Sequence, residues 1–273
     1  MKKIWISSPI LVALAICLLS IPVWANGHSQ ERGMTCDDRW NSWNDRASHC
    51  EIREQTLSAG GTINVDGGQN GGVSVKGWDR GDILVRARIQ TQARSESEAR
   101  DLATQIRIET GGARIQAQGP SSYDDRHWSV SYEVFVPRQS DLSLKSHNGG
   151  ISISDVRGRI EFTAHNGGVS LNRLGGNVRG ETTNGGLSVN LDGDRWNGEG
   201  LDVRTVNGGV NLVMPENYSA HLETGTVHGG LNLGFPVTVQ GRLSKELSID
   251  LGSGGAPVRV MTTNGGVTIR RKS

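Results

Sequence analysis

The sequence predicts an all-β protein: a parallel β-solenoid of about 18 residues and two strands per rung, with one short helix in its N-terminal half. Three observations predict it. First, the heptads HNGGISI, HNGGVSL, TNGGLSV, VNGGVNL, VHGGLNL and TNGGVTI recur between His147 and Ile269. Second, Asn-Gly-Gly triplets start at Asn70, Asn148, Asn166, Asn184, Asn207 and Asn264, where 17 Asn and 38 Gly placed at random would give roughly 0.3. Third, steps of 18 residues separate Asn148, Asn166 and Asn184, and a variant triplet at His228 lies inside the last interval.

The chain opens with Lys2 and Lys3, then the apolar run Ile10–Leu19, then Val23-Trp24-Ala25. This order reads as a signal peptide over residues 1–25, which places the protein in the periplasm, on the cell surface or outside the cell. An uncleaved membrane anchor and a lipoprotein are the alternatives. Cys17 fits lipid attachment poorly, because Ile16 stands where a small residue is wanted. Losing Lys2 and Lys3 takes the formal charge from +1 to −1, a balance that calls for neither nucleic acid nor an anionic membrane. No second apolar run is long enough to cross a bilayer, so no transmembrane span is expected after cleavage.

Residues 26–57 keep two cysteines, Cys36 and Cys50. In an exported chain two cysteines form one disulfide, here closing a loop that holds Trp40 and Trp43. A metal site needs more ligands than this pair supplies. Residues 58–273 are then the repeat domain. Its first part is less regular: an early repeat around Asn70, a strand from Ile83 to Thr91, and further strands in IRIETGGARIQAQ and HWSVSYEVFVP. Ser95–Gln105 is the helix, with Ser95 as its cap and Glu98 three residues on. It is expected on one end or side of the stack, with the disulfide segment over the first rung.

Within one repeat, LSLKSHNGGISI, the apolar residues alternate as in half-buried strands on either side of a Gly-Gly turn. Aligning the repeats gives an aliphatic column, Leu142, Ile160, Val178, Leu201, Leu222, Val258. Two more follow the turn: Ile151, Val169, Leu187, Val210, Leu231, Val267, and Ile153, Leu171, Val189, Leu212, Leu233, Ile269. The column beside the turn is small: Ser146, Ala164, Thr182, Thr205, Thr226, Thr262. In-register stacking also sets Glu161 beside Arg179, Arg179 beside Asp202, and Glu181 beside Arg204. A meander of hairpins is the competing fold, since Asn-Gly is a strong hairpin signal, but it does not require that charge order.

Gly-Gly is expected to supply positive φ and room at a tight corner. Asn148, Asn166, Asn184, Asn207 and Asn264 share the inward parity and are expected to form a buried amide ladder with a structural role. Arg270, Arg271 and Lys272 are expected to blunt the last open edge.

Val136-Pro137-Arg138 followed by these triplets resembles the bacterial putative-adhesin family of exported β-solenoid domains, over roughly residues 58–271. The resemblance implies an exported β-solenoid and no catalytic residues.

Three function classes remain. A polysaccharide-active enzyme on a parallel β-helix would cluster carboxylates on one face, whereas the outward acids here alternate with Arg and Lys. His147 and His165 would stack one rung apart, but Thr183 and Val206 continue their column, so the pair reads as a solvated corner rather than a metal site. Asp192–Gly200, DGDRWNGEG, departs from the calcium-loop spacing at Trp196 and reads as an insertion in one turn. Neither a catalytic residue nor a cofactor is expected. The second class is a surface-interaction protein. The first outward residues after each turn are Ser152, Ser170, Ser188, Asn211, Asn232 and Thr268, a flat lattice of hydroxyls and amides suited to a glycan or cell-wall polymer. The third class is a structural spacer, or an envelope sensor module paired with a signalling protein.

Overall fold

The computed structural model describes residues 33–36, 46–122, 125–236 and 245–272. The expected signal peptide, Trp40 and Trp43 lie outside these residues. From Met34 onward the described residues form one compact unit.

The strands are β1 (Ala47–Ser58), β2 (Ile63–Asp66), β3 (Val73–Trp78) and β4 (Asp82–Ala93), followed by helix α1 (Glu96–Gln105). Next come β5 (Arg107–Glu109), β6 (Arg114–Gln118), β7 (His127–Pro137), β8 (Leu142–Ser146), β9 (Ile151–Ser154) and β10 (Arg157–Ala164). The series continues with β11 (Val169–Asn172), β12 (Gly175–Asn184), β13 (Leu187–Asn190), β14 (Gly200–Asn207) and β15 (Val210–Pro215). It ends with β16 (Ala220–His228), β17 (Leu231–Leu233), β18 (Glu246–Leu251), β19 (Pro257–Asn264) and β20 (Val267–Lys272).

They form two sheets of ten strands each, largely parallel, in a β-solenoid-like arrangement. The first runs β1-β4-β7-β3-β9-β11-β13-β15-β20-β17 and the second β18-β16-β19-β14-β12-β10-β8-β2-β6-β5. Successive turns of chain stack in register: Ile160 pairs with Leu142 and Val178, and Val169 with Ile151 and Leu187. Their aliphatic columns point between the sheets and make the core. Leu231 and Leu233 are less buried than the rest because β17 is an edge strand. A further inward column holds Leu144, Phe162, Gly180, Val203, Val260 and Thr224. Phe162 fills the space that Gly180 leaves: a Cβ on Gly180 would meet its ring at 2.5 Å.

The order of stacking departs from the order of the chain. β14 and β15 pair with β19 and β20, and only then do β16 and β17 follow. β19 and β20 therefore fill an interior layer. β18 returns antiparallel on one flank of β16, leaving the other flank to β19. The columns could not reveal this, because Val258 and Leu222 are equally good neighbours for Leu201. Consequently Arg270–Lys272 do not close the open edge as expected: β20 is flanked by β15 and β17.

At the other end, β1, β4 and β7 extend the first sheet in antiparallel fashion. β1 pairs along its whole length with β4, from Ala47↔Ala93 to Ser58↔Asp82. Helix α1 packs on these two strands through Ala99, Leu102 and Ala103. Ser95 caps it, accepting from the Glu98 amide at 3.3 Å. Arg53 in β1 donates to the carbonyls of Ala103 (2.9 Å) and Ile106 (2.6 Å), satisfying the helix C-terminus. Cys50, also in β1, is bonded to Cys36, with Cα atoms 5.7 Å apart.

Candidate functional site

Three surfaces carry the polar side chains: the corner where the Asn-Gly-Gly triplets turn, the outer face of the second sheet, and the outer face of the first.

At the corner, the amides of Asn70, Asn148, Asn166, Asn184, Asn207 and Asn264 are joined by five hydrogen bonds of 2.7–2.9 Å. In each, Nδ2 of one Asn donates to Oδ1 of the Asn in the neighbouring layer. The side chains are exposed, not inward as the parity suggested. Strand alternation ends at the residue before: Ser146 is buried, and His147 and Asn148 both lie on the outside of the bend. The inward polar groups are the hydroxyls of the small column. Thr182 donates to Gly167 O, Thr205 to Gly185 O, Thr262 to Gly208 O and Thr226 to Gly265 O, at 2.7–2.8 Å.

The first glycine of each triplet answers to proximity more than to φ. A Cβ on Gly167 would lie 2.2 Å from Gly149 O, and one on Gly208 2.1 Å from Gly185 O. Positive φ is concentrated at the opposite corner, at Asp155 (60°), Arg173 (51°) and Gly176 (94°). There Arg173 donates two bonds, 2.7 and 2.6 Å, to the Asp155 carboxylate. Those bonds hold the carboxyl below its usual range, against the opposing effect of partial burial. The insertion at Asp192–Gly200 folds against this corner. Trp196 is buried and its indole N–H donates to Gly176 O at 2.9 Å. A cleft of about 840 Å³ opens beside it, lined by Arg138, Arg157, Arg173 and Arg195 together with Asp155, Asp192 and Asp194.

The outer face of the second sheet carries the charges. Register sets Glu161 beside Arg179, Arg179 beside Asp202, and Glu181 beside Arg204, and the last pair closes to 2.5 Å. Arg259 lies 3.7 Å from Asp202 and 3.4 Å from Glu223.

The outer face of the first sheet is different. Pairing places Ser74, Ser152, Ser170, Ser188, Asn211, Thr268 and Asn232 in one file, about 4.8 Å apart. The candidate face residues thus share a file, with Thr268 between Asn211 and Asn232. Ser74 joins it, as the heptad after Asn70 could have indicated. A second file runs Lys76, Ser154, Asn172, Asn190, Val213 and Arg270. Near its start lies an aromatic group that the repeat pattern did not reveal. Trp78 and Phe135 stack at 5.4 Å, with Arg80 4.2 Å above the Trp78 ring and Arg86 5.4 Å from that of Phe135.

His147 and His165 stack with ring centroids 4.8 Å apart. Among the described residues no group of three or more His, Cys, Asp or Glu is arranged to hold a metal ion. No helix among them is long and apolar enough to cross a membrane.

Two mostly parallel sheets stacked layer on layer through glycine corners define a β-solenoid-like protein. The sequence matches the Toastrack DUF4097 family over residues 69–270, and the chain belongs to that family. The resemblance carried by Val136-Pro137-Arg138 and the triplets thus holds. None of the curated proteins matches the sequence. Similar solved structures include a putative cell adhesion protein from Clostridium sporogenes, at 10% identity and TM-score 0.42, covering 82% of this chain and 100% of that one. A putative adhesin from Bacteroides fragilis has 9% identity and TM-score 0.36, covering 81% and 97%. A putative lipid binding protein from Parabacteroides distasonis has 11% identity and TM-score 0.32, covering 82% and 97%.

Proposed function

We propose that this is a non-enzymatic, exported binding protein that recognises a glycan or cell-wall polymer through the outer face of its first sheet. One observation carries the reading: the file from Ser74 to Asn232, with hydroxyl or amide groups in seven stacked layers. If each rung is a two-strand unit of about 18 residues, a repeating ligand meets similar donors and acceptors at each step. Single neutral contacts are weak, so affinity comes from many of them along the file. The charged face opposite is occupied with its own pairing, which gives little directional affinity. Residues 1–25 support export, to the periplasm, the cell surface or the medium.

The test compares Ser170→Lys/Ser188→Lys with Glu161→Lys/Glu181→Lys in pull-downs on insoluble glycans and isolated cell walls. The first pair should abolish binding and the second leave it nearly intact. Loss from the second pair alone would move the site to the charged face. Absence of binding to any polymer would favour a spacer, or a sensor module with an envelope protein partner.

A further inference from the structure

We infer that the cavity at the first Asn-Gly-Gly corner is a separate site for a single neutral sugar ring. The cavity measures about 560 Å³, within the range of small-molecule sites. Asp66, Gln69, Asn70 and Asn148 contribute from the corner, and Trp128 and Ser129 from β7. Four observations point to a neutral, hydroxyl-rich ligand.

The first is charge. Among the described residues, Asp66 is the only ionisable one in the lining, which holds no Lys, Arg or His. A phosphate or carboxylate would meet that carboxylate with no cation in the described lining. A single carboxylate is also too few ligands for a metal ion.

The second is the amide ladder. Asn148, Asn166, Asn184 and Asn207 each use both ends of their amides. Asn70 uses only one, accepting from Asn148 at 2.9 Å. The other end of its amide has no protein partner among the described residues, and Asn70 lines the cavity. Reversing every amide in the ladder would still leave one polar atom of Asn70 over. A chain of aligned hydrogen bonds strengthens its terminal group.

The third is Ser129, which is only 9% exposed. It lines the cavity, and its hydroxyl makes no hydrogen bond among the described residues. Its oxygen is not fully enclosed and has donor and acceptor capacity for a ligand in the cavity. Asp66 adds more: its Oδ1 accepts from the Gly68 amide at 2.8 Å, while Oδ2 has no protein partner there.

The fourth is Trp128. Its indole N–H is committed to Pro120 O at 2.7 Å, and Gly119 packs so close that a Cβ there would lie 3.1 Å from the ring. The ring is fixed, and its carbon surface supplies an apolar wall. Amides, one carboxylate, a hydroxyl and one aromatic surface together match a pyranose, which has polar edges and an apolar C–H face. This site does not depend on the sheet-face reading.

Saturation-transfer NMR on the whole chain would test it, with free glucose, galactose, mannose and N-acetylglucosamine, and with glucose 6-phosphate and galacturonate as anionic controls. At least one neutral sugar should bind at millimolar concentration, and the anionic controls should not. Asn70→Leu and Trp128→Ala should each weaken binding about tenfold. Ser129→Ala removes one oxygen only, and should weaken it about threefold if Trp128→Ala does not fold. Ser170→Lys/Ser188→Lys should leave monosaccharide binding unchanged even where it abolishes polymer binding. The proposal is overturned if no neutral sugar binds, if binding is unaffected by Asn70→Leu and Ser129→Ala, or if the sheet-face pair abolishes it.

Discussion

Thr205 donates its hydroxyl to the carbonyl of Gly185 in the neighbouring layer, at 2.7 Å. The same carbonyl oxygen lies 2.1 Å from the point a Cβ on Gly208 would occupy. The inward hydroxyl and the first glycine of the triplet are thus two halves of one contact. The glycine lets the backbones approach, and the hydroxyl satisfies the carbonyl that the approach buries.

The two glycines of one corner should therefore differ sharply. Gly185→Ala puts a Cβ 2.2 Å from Gly167 O, a backbone atom that cannot move alone. Gly186→Ala meets Gly209 O at 3.6 Å, an ordinary contact. The first should cost about 1–3 kcal/mol or more, and the second should fall within about 1 kcal/mol of the parent. Urea unfolding of both variants checks this; equal losses would mean the corner is not limited by backbone approach.

Thr205→Val keeps the shape and leaves the Gly185 carbonyl without its hydroxyl donor, at an expected cost of about 1–3 kcal/mol. Asn184→Ala breaks two ladder bonds, but the amides left behind are exposed and water replaces their partners, so its cost should be about 1 kcal/mol. Ser188→Ala should cost under about 0.5 kcal/mol. Melting temperatures should follow that order. Asn184→Ala falling below Thr205→Val would mean that the ladder, not the buried hydroxyl column, holds the layers together.

Asp155 supplies a pH dependence. Arg173 lowers its folded-state pKa, so its contribution to stability is present above the unfolded carboxylate value of about 3.9 and is lost as pH falls through the lower folded value. Arg173→Gln should remove part of the stability at neutral pH and flatten the acid limb of a melting-temperature profile recorded between about pH 5 and pH 2. An unchanged acid limb would show that the pair contributes nothing to folding.

Cys36 and Cys50 are separated by 14 positions. A loop of that size stabilises by about 3 kcal/mol when closed. Cys36→Ser should lower the unfolding free energy by roughly that amount, with β1 and α1 losing hydrogen-exchange protection first. Protein isolated after export should be about two daltons lighter than its reduced form. Free thiols in that material would contradict the pairing.

Much of the fold was legible because its strands alternate. Every aliphatic column read from Leu142, Ile151 and Ile153 is an inward column, and Ser95 caps the helix that its neighbours suggested. Other features were hidden for physical reasons. Burial stops alternating after the small column, even where the strand runs on to Asn184 or Asn207, so the exposed Asn corner could not be placed by counting from Ser146. Equivalent aliphatic residues carry no label of order, so the position of Val258 between Leu201 and Leu222 was invisible. Of the candidate face, the Ser and Asn file was readable because it belongs to the heptad. Trp78, Phe135, Trp128 and Ser129 were not, because they lie outside the period and meet only through tertiary structure.

The displaced position of β19 and β20 has a consequence for assembly. A stack built strictly in order of synthesis would grow by adding each new strand pair to an exposed end. Here β19 and β20 must occupy a slot between partners that precede them in the chain. Until Val258–Ile269 arrive, Leu201 and Leu222 cannot become second neighbours, and two unsatisfied edges wait for one insert. The β19–β20 segment is therefore a keystone. A chain cut before Pro257 would not be a shorter version of the same column, because it would lack the layer that joins its two parts.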